Sequence, residues 1–151
     1  MALNAPKPVA SAIVATPAEI AAAKSLRYGF TALLLFVAGG LTLEFLHLIK
    51  APWYLESHLR RELWVLAHAH GALLAVFNLA YAALLPRIAS AASASLWLRW
   101  GAALVPAGFF LGGIGNSEGD PSLLIVLTPI GALAVLVALA LCVKAAWSKP
   151  A

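Results

Sequence analysis

Hydrophobic residues gather into four long apolar runs along the chain, separated by short segments rich in polar residues, proline and glycine. The runs cover about residues 28–49, 63–85, 96–114 and 122–146. A helix rises about 1.5 Å per residue, so each run is long enough to cross most or all of a hydrocarbon core of roughly 30 Å. The pattern predicts four transmembrane helices, and the short connections predict an up-down-up-down bundle.

Helix start signals lie at the ends of these runs. Residues 16–19 read Thr-Pro-Ala-Glu, a capping box with proline at the first helical position. They predict a short N-terminal helix that lies at the membrane interface or continues into the first span. Ser57 is expected to cap the second span, and Asp120, followed by Pro121, to cap the fourth.

The predicted organisation has three parts. Residues 1–27 form an N-terminal tail and a short interfacial helix, residues 28–147 the four-helix transmembrane domain, and residues 148–151 a C-terminal tail. The expected fold class is therefore all-α: an integral membrane four-helix up-down-up-down bundle with a short N-terminal helix.

Composition supports the membrane class. Of the 151 residues, 63% are hydrophobic and only 11% are charged, with a mean hydropathy of +0.93, whereas a soluble domain is about half apolar and about a quarter charged. The single cysteine, Cys142, allows neither an intrachain disulfide nor a cysteine-based metal cluster. The net charge of +4 comes from basic residues that flank the apolar runs, which does not favour nucleic-acid binding.

The basic residues predict an orientation, because the cytoplasmic loops of membrane proteins are enriched in lysine and arginine. The side that holds both termini would carry Lys7, Lys24, Arg27, Arg87, Arg99, Lys144 and Lys149. The other side would carry Lys50, Arg60 and Arg61. We therefore expect a multi-pass protein of the bacterial inner (cytoplasmic) membrane with both termini in the cytoplasm.

Titratable side chains concentrate where the first span ends and the second begins. Between residues 44 and 70 lie one intramembrane acid and all four histidines, namely Glu44, His47, His58, His68 and His70. Antiparallel packing would bring the two span ends to similar depth in the outer third of the membrane. Ionisable residues inside spans are costly and usually face the bundle interior. His58 is interpreted as a solvated loop histidine, and Arg60 and Arg61 as headgroup anchors.

Helical spacing predicts which of these side chains face inward. At about 100° per residue, one stripe of the first helix holds Gly29, Leu33, Gly40, Glu44 and His47. His68 and His70 lie about 200° apart. His70 shares its face with Asn78 and Tyr81, so we expect His70 inside the bundle and His68 against a different neighbour or a partner protein.

This polar layer favours cofactor binding. Neutral imidazoles of His47 with His70, or of His47 with His68, would ligate a haem b or a copper or zinc ion in redox or electron transfer. Glu44, Asn78 and Tyr81 would support these ligands. One alternative is a structural or accessory subunit of a larger membrane complex, or a homo-oligomer, without a cofactor. Another is a small proton-coupled transport protein. The sequence contains no recognisable catalytic nucleophile, phosphate loop or hydrolytic pair, so it does not indicate an enzyme.

The stretch Glu62–Gly71, ELWVLAHAHG, resembles the H-x-H helix starts of small bacterial multi-span proteins without an assigned function. It is also loosely similar to helices of haem-copper-related and nitric-oxide-response membrane families. The resemblance implies that His68 or His70 is a haem or metal ligand. It does not imply oxygen or nitric oxide reduction, because the larger families have more helices and further histidines.

Overall fold

The computed structural model describes residues 15–115 and 119–148, and the regular structure of these two ranges is helical. The helices are α1 (Pro17–Leu48), α2 (Pro52–Leu55), α3 (His58–Leu84), α4 (Ala94–Gly112) and α5 (Leu127–Trp147). Short 3₁₀ turns follow α3 at Leu85–Arg87 and Ala89–Ala91, and another precedes α5 at Leu123–Val126. Four of these helical segments, all except α2, are long and apolar enough to cross a membrane.

Helix α1 begins at the predicted capping box. The Thr16 hydroxyl accepts from the backbone N–H of Glu19 at 3.2 Å, and the Glu19 carboxylate accepts from the backbone N–H of Thr16 at 2.7 Å. The helix then continues without a break to Leu48. The prediction of a separate N-terminal helix is therefore wrong, and the alternative of one continuous helix is confirmed. The tail at residues 1–14 lies outside the described ranges.

The other two predicted caps have different outcomes. Ser57 caps α3 as expected, since its hydroxyl accepts from the backbone N–H of Arg60. Asp120 does not cap the fourth span, which begins with the 3₁₀ turn after Ser122. The Ser122 hydroxyl donates to the Leu111 carbonyl at 2.8 Å, and the Ser122 backbone N–H donates to the Gly112 carbonyl at 2.9 Å. These bonds tie the start of the fourth span to the end of α4.

Glycines let large side chains of the neighbouring helix sit against the backbone of α1 and α3. A methyl group added at any of three glycines would overlap a side chain across the interface. The pairs are Gly29 with Leu79, Gly71 with Phe36, and Gly40 with His68. The partners follow one another in opposite order along the two helices, so α1 and α3 run in opposite directions. The predicted interhelical stripe of α1 is confirmed as far as Gly40.

Small polar residues tie α1 to α4 near the start of both helices. Ser25 and Ser95 are buried, and their hydroxyl oxygens are 2.8 Å apart. The Ser95 hydroxyl donates its single hydrogen to the Ala21 carbonyl at 3.2 Å, so the Ser25 hydroxyl must be the donor to Ser95. Around this contact, alanines and leucines from α1, α4 and α5 form a buried core cluster.

The outer faces of the bundle are strongly apolar. Leu34, Leu41 and Leu48 of α1 are 74%, 72% and 78% exposed, and α5 exposes a similar face that includes Leu133 and Leu136. Monomeric soluble proteins rarely leave apolar patches of this extent open to water. The helices therefore have the surface that a multi-pass membrane protein requires.

Candidate functional site

An apolar groove of about 550 Å³ lies between α1, α3 and α4. Its lining includes Leu35 and Leu43 of α1, Trp64 of α3 and Phe110 of α4. His68 is the only histidine in the lining, which contains no lysine, arginine, aspartate or glutamate. The groove thus offers a ligand a mostly hydrocarbon surface with one imidazole in it.

The geometry of His68 fixes the tautomer of its neutral ring. Nδ1 lies 2.6 Å from the carbonyl oxygen of Phe36 on α1. A carbonyl can only accept, so Nδ1 carries the hydrogen and the neutral ring keeps a lone pair on Nε2. Nε2 has no hydrogen-bond partner among the described residues. Within those ranges, the side-chain polar atoms that are fully buried and have no hydrogen-bond partner are the Tyr54 hydroxyl oxygen and Asn78 Oδ1. Nε2 of His68 is not among them, so it is not fully buried.

The ring of His68 is held in place by a reciprocal arrangement of rings and glycines. It sits against Gly40 of α1, while the ring of Phe36 sits against Gly71 of α3. Phe36 therefore contributes both its carbonyl, which orients His68, and its side chain, which packs one turn away. The sequence did not identify Phe36 as part of the site. The only indication in the sequence is that one predicted helix carries this large ring and the next carries a glycine, Gly71, that could accommodate it.

His70 has a different environment from the one that its sequence context suggested. Its Nδ1 bonds to the Leu66 carbonyl of its own helix at 2.9 Å. Its ring centroid lies 5.0 Å from that of Phe109 on α4, and His70 does not line the groove. His68, which was expected to face another neighbour, is the histidine that contacts α1.

The two polar residues expected to support His70 have partners elsewhere. Asn78 is fully buried, donates from Nδ2 to the Leu74 carbonyl at 2.9 Å, and leaves Oδ1 unpaired. Tyr81 donates its hydroxyl to the Ala91 carbonyl at 2.8 Å, in the segment that joins α3 to α4. Neither side chain therefore hydrogen-bonds to a histidine among the described residues.

Glu44 and His47 are exposed at the end of α1. His47 bonds through Nδ1 to the Leu43 carbonyl of its own helix at 3.3 Å, and its ring meets the Tyr54 ring edge-on at 5.1 Å between centroids. Glu44 has no hydrogen-bond partner among the described residues. Within residues 15–115 and 119–148, no three histidine, cysteine, aspartate or glutamate side chains come together so that they could hold a metal ion.

Tyr54 occupies a buried place at this end of the bundle. Its side chain has no exposed surface and its hydroxyl has no partner in the described ranges. Burial raises the pKa of Tyr54, the positive charge of Arg61 lowers this pKa, and the negative charge of Glu44 raises it. The negative charge of Glu44 thus reaches Tyr54, in the connection between α1 and α3.

An aromatic stack forms one end of the groove. Trp64 lies parallel to Tyr54, with ring centroids 6.0 Å apart, and parallel to Phe110, with centroids 5.0 Å apart. Its indole N–H donates to the Phe110 carbonyl at 3.0 Å, so this hydrogen is already used within the protein. The sequence indicated only an interfacial tryptophan, because the contact with α4 is long-range.

Arg60 is bonded inside the protein. Its Nε donates to the Gly113 carbonyl at 3.1 Å, and its Nη1 donates to the Trp53 carbonyl. It thereby satisfies a carbonyl at the end of α4, which is a favourable place for a cation. The interpretation of Arg60 as a headgroup anchor did not include these bonds, and it stays a prediction for the remaining N–H donors. His58 pairs with Glu62 at 3.4 Å, both side chains being mostly exposed, as expected of a solvated histidine.

No protein-family model matches the chain, and no curated protein and no solved structure shows significant similarity to it.

Proposed function

We propose that this chain is a membrane protein that binds a hydrophobic ligand or prosthetic group in the groove between α1, α3 and α4. Nε2 of His68 is the polar contact for that ligand. One observation carries the proposal: an imidazole nitrogen with an unpaired lone pair lies in a mostly apolar groove, whose other side-chain polar groups include the hydroxyls of Tyr28 and Thr31. Apolar pockets with a few oriented polar groups are the usual form of small-molecule sites.

The setting proposed for this site is the bacterial inner membrane. The four long helices would cross it in alternating directions, with both termini in the cytoplasm. Lys24, Arg27, Arg87, Arg99 and Lys144 would then lie on the cytoplasmic side, as the positive-inside rule requires. His68 follows the start of α3 by three turns, so the site would lie in the outer half of the membrane.

Haem b is the first candidate for a prosthetic group. A hydrogen bond from Nδ1–H to a backbone carbonyl is the usual way in which proteins orient a ligating histidine, leaving Nε2 for the metal. Haem would supply one-electron redox chemistry, and this chain would supply the apolar surface and Nε2 of His68. The histidine pairs His47 with His70 and His47 with His68 gain no support, because His47 and His70 do not line the groove. A copper or zinc ion held by these histidines gains none either.

An accessory subunit without a cofactor is the second candidate. The exposed apolar faces of α1 and α5 favour it, since helices of a neighbouring subunit would cover them as well as lipid does. A proton-coupled transport function would need Glu44 and a histidine to act together. No hydrogen bond or ion pair joins Glu44 to a histidine among the described residues, so this third alternative is the least supported.

A comparison of two matched variants tests the proposal. We would purify the full chain in mild detergent, record its reduced-minus-oxidised visible spectrum, and identify co-purifying hydrophobic molecules by extraction and mass spectrometry. His68→Phe keeps a ring against Gly40 and removes both nitrogens, whereas His70→Phe makes the same change outside the groove. We expect a Soret band or another retained ligand in the wild type and in His70→Phe, and its loss in His68→Phe.

Two results would contradict the proposal. The first is a retained ligand that does not depend on His68. The second is a preparation without pigment or ligand that co-purifies with stable protein partners, which would favour the accessory subunit.

A further inference from the structure

The groove is elongated along the helices, with its polar contact nearer one end. Its lining on α1 extends from Tyr28 to Leu43, which corresponds to about 22 Å of helix length. His68 meets α1 at Phe36 and Gly40, in the half of this lining that ends at Leu43. A ligand whose head group lies at His68 would therefore have a longer apolar path towards Tyr28 than towards Leu43.

At the level of His68 the groove offers an acceptor and no free donor. Nδ1–H of His68 is used by the Phe36 carbonyl, and the indole N–H of Trp64 is used by the Phe110 carbonyl. Only the lone pair of Nε2 is unpaired there. The lone pair of Nε2 lies in a mostly apolar groove without a partner, so the head group that suits this place is one that donates a hydrogen bond.

We propose that the ligand is a lipid-soluble phenol or alcohol, namely the hydroxyl-bearing reduced form of an isoprenoid quinone. Its O–H donates to Nε2 of His68, and its apolar tail follows α1 towards Tyr28. The oxidised quinone presents carbonyl oxygens, which cannot pair with the lone pair of Nε2, so His68 favours the reduced form. The hydroxyls of Thr31 and Tyr28 also line the groove, farther along α1. This inference rests on the proposed function and assigns the ligand of the same groove to a hydroxyl donor, which would take the place of haem b at Nε2 of His68.

Probes that differ only in the head group test the donor requirement. We would incorporate the full chain into nanodiscs and measure the equilibrium binding of decylubiquinol, decylubiquinone and the O-methylated quinol. The expected result is roughly tenfold tighter binding of the quinol than of the other two, which corresponds to about 1.4 kcal/mol. This comparison uses the wild type alone, so it does not depend on the folding of a variant.

The variants then separate this inference from the function on which it rests. His68→Phe should bind quinol and quinone equally, whereas His70→Phe should keep the preference for quinol. Equal binding of all three probes by the wild type, lost in His68→Phe, would overturn the hydroxyl inference and leave the groove as a ligand site. Binding that is the same in the wild type and in His68→Phe would overturn both. Failure of all three probes to bind would overturn the quinol inference, while the extraction experiment would still test the groove.

Discussion

The position of the His68 ring depends on a single glycine of the opposite helix. Gly40 leaves room for the ring, and a methyl group in its place would overlap the imidazole. The adjacent Gly39 is a matched control, because no heavy atom lies within 4 Å of a methyl group added there. The two neighbouring glycines of α1 thus differ in what they contribute, although both are equally poor helix formers.

We expect Gly40→Ala to displace the His68 ring and to lower the free energy of unfolding by about 1–3 kcal/mol, the usual cost of overpacking. Gly39→Ala should be neutral or stabilising by up to about 1 kcal/mol, because alanine is the better helix former. Thermal melting in detergent, together with ligand retention, measures both effects. Equal melting temperatures for the two variants would show that the ring does not need Gly40.

At the scale of elements, Arg60 connects three helices. It belongs to the first turn of α3, and its guanidinium donates to carbonyls at the end of α4 and in α2. We expect Arg60→Ala to lower the melting temperature by an amount that corresponds to about 1–3 kcal/mol, because the carbonyls would lose a charged donor. Arg61→Ala is the matched control, since Arg61 makes no hydrogen bond from its side chain within the described residues. Equal losses in the two variants would contradict this role of Arg60.

Local signals in the sequence predicted much of the helix architecture. The capping box at Thr16 and the cap at Ser57 are made by residues three positions apart, so their patterns are visible in the sequence and both were confirmed. Asp120 failed as a cap because Ser122 bonds to the end of α4. That contact depends on how the two helices meet, and no local pattern contains it.

The candidate site was less predictable than the helices. Periodicity correctly placed Gly29 and Gly40 on the face of α1 that meets α3. It could not decide between His68 and His70, because both face a neighbouring helix, His68 towards α1 and His70 towards α4. The groove itself is a space between three helices, so its shape follows from packing distances that the sequence does not show.

The whole molecule has different packing at its two ends. Near the start of α1 and α4, the helices are tied together by the buried serines and by small alanines. Towards the end of α1, the groove lies between them and is followed by the aromatic stack on Trp64. Because the first end carries most of the basic residues, the proposed orientation puts the closely packed end on the cytoplasmic side and the groove in the outer half of the membrane.

Cysteine labelling tests this orientation, because the chain contains one cysteine that can be removed. In a Cys142→Ala background we would introduce Glu56→Cys, in the connection between α1 and α3, or Ser148→Cys, after α5. Both positions are exposed. A membrane-impermeant maleimide should label Glu56→Cys on intact bacterial cells and Ser148→Cys only after permeabilisation.

The pair of sites distinguishes the ways in which the orientation could fail. The reverse labelling pattern would show that the basic residues do not set the orientation and that the groove opens in the cytoplasmic half. Labelling of both sites on intact cells would show that they lie on the same side, which four alternating spans do not allow.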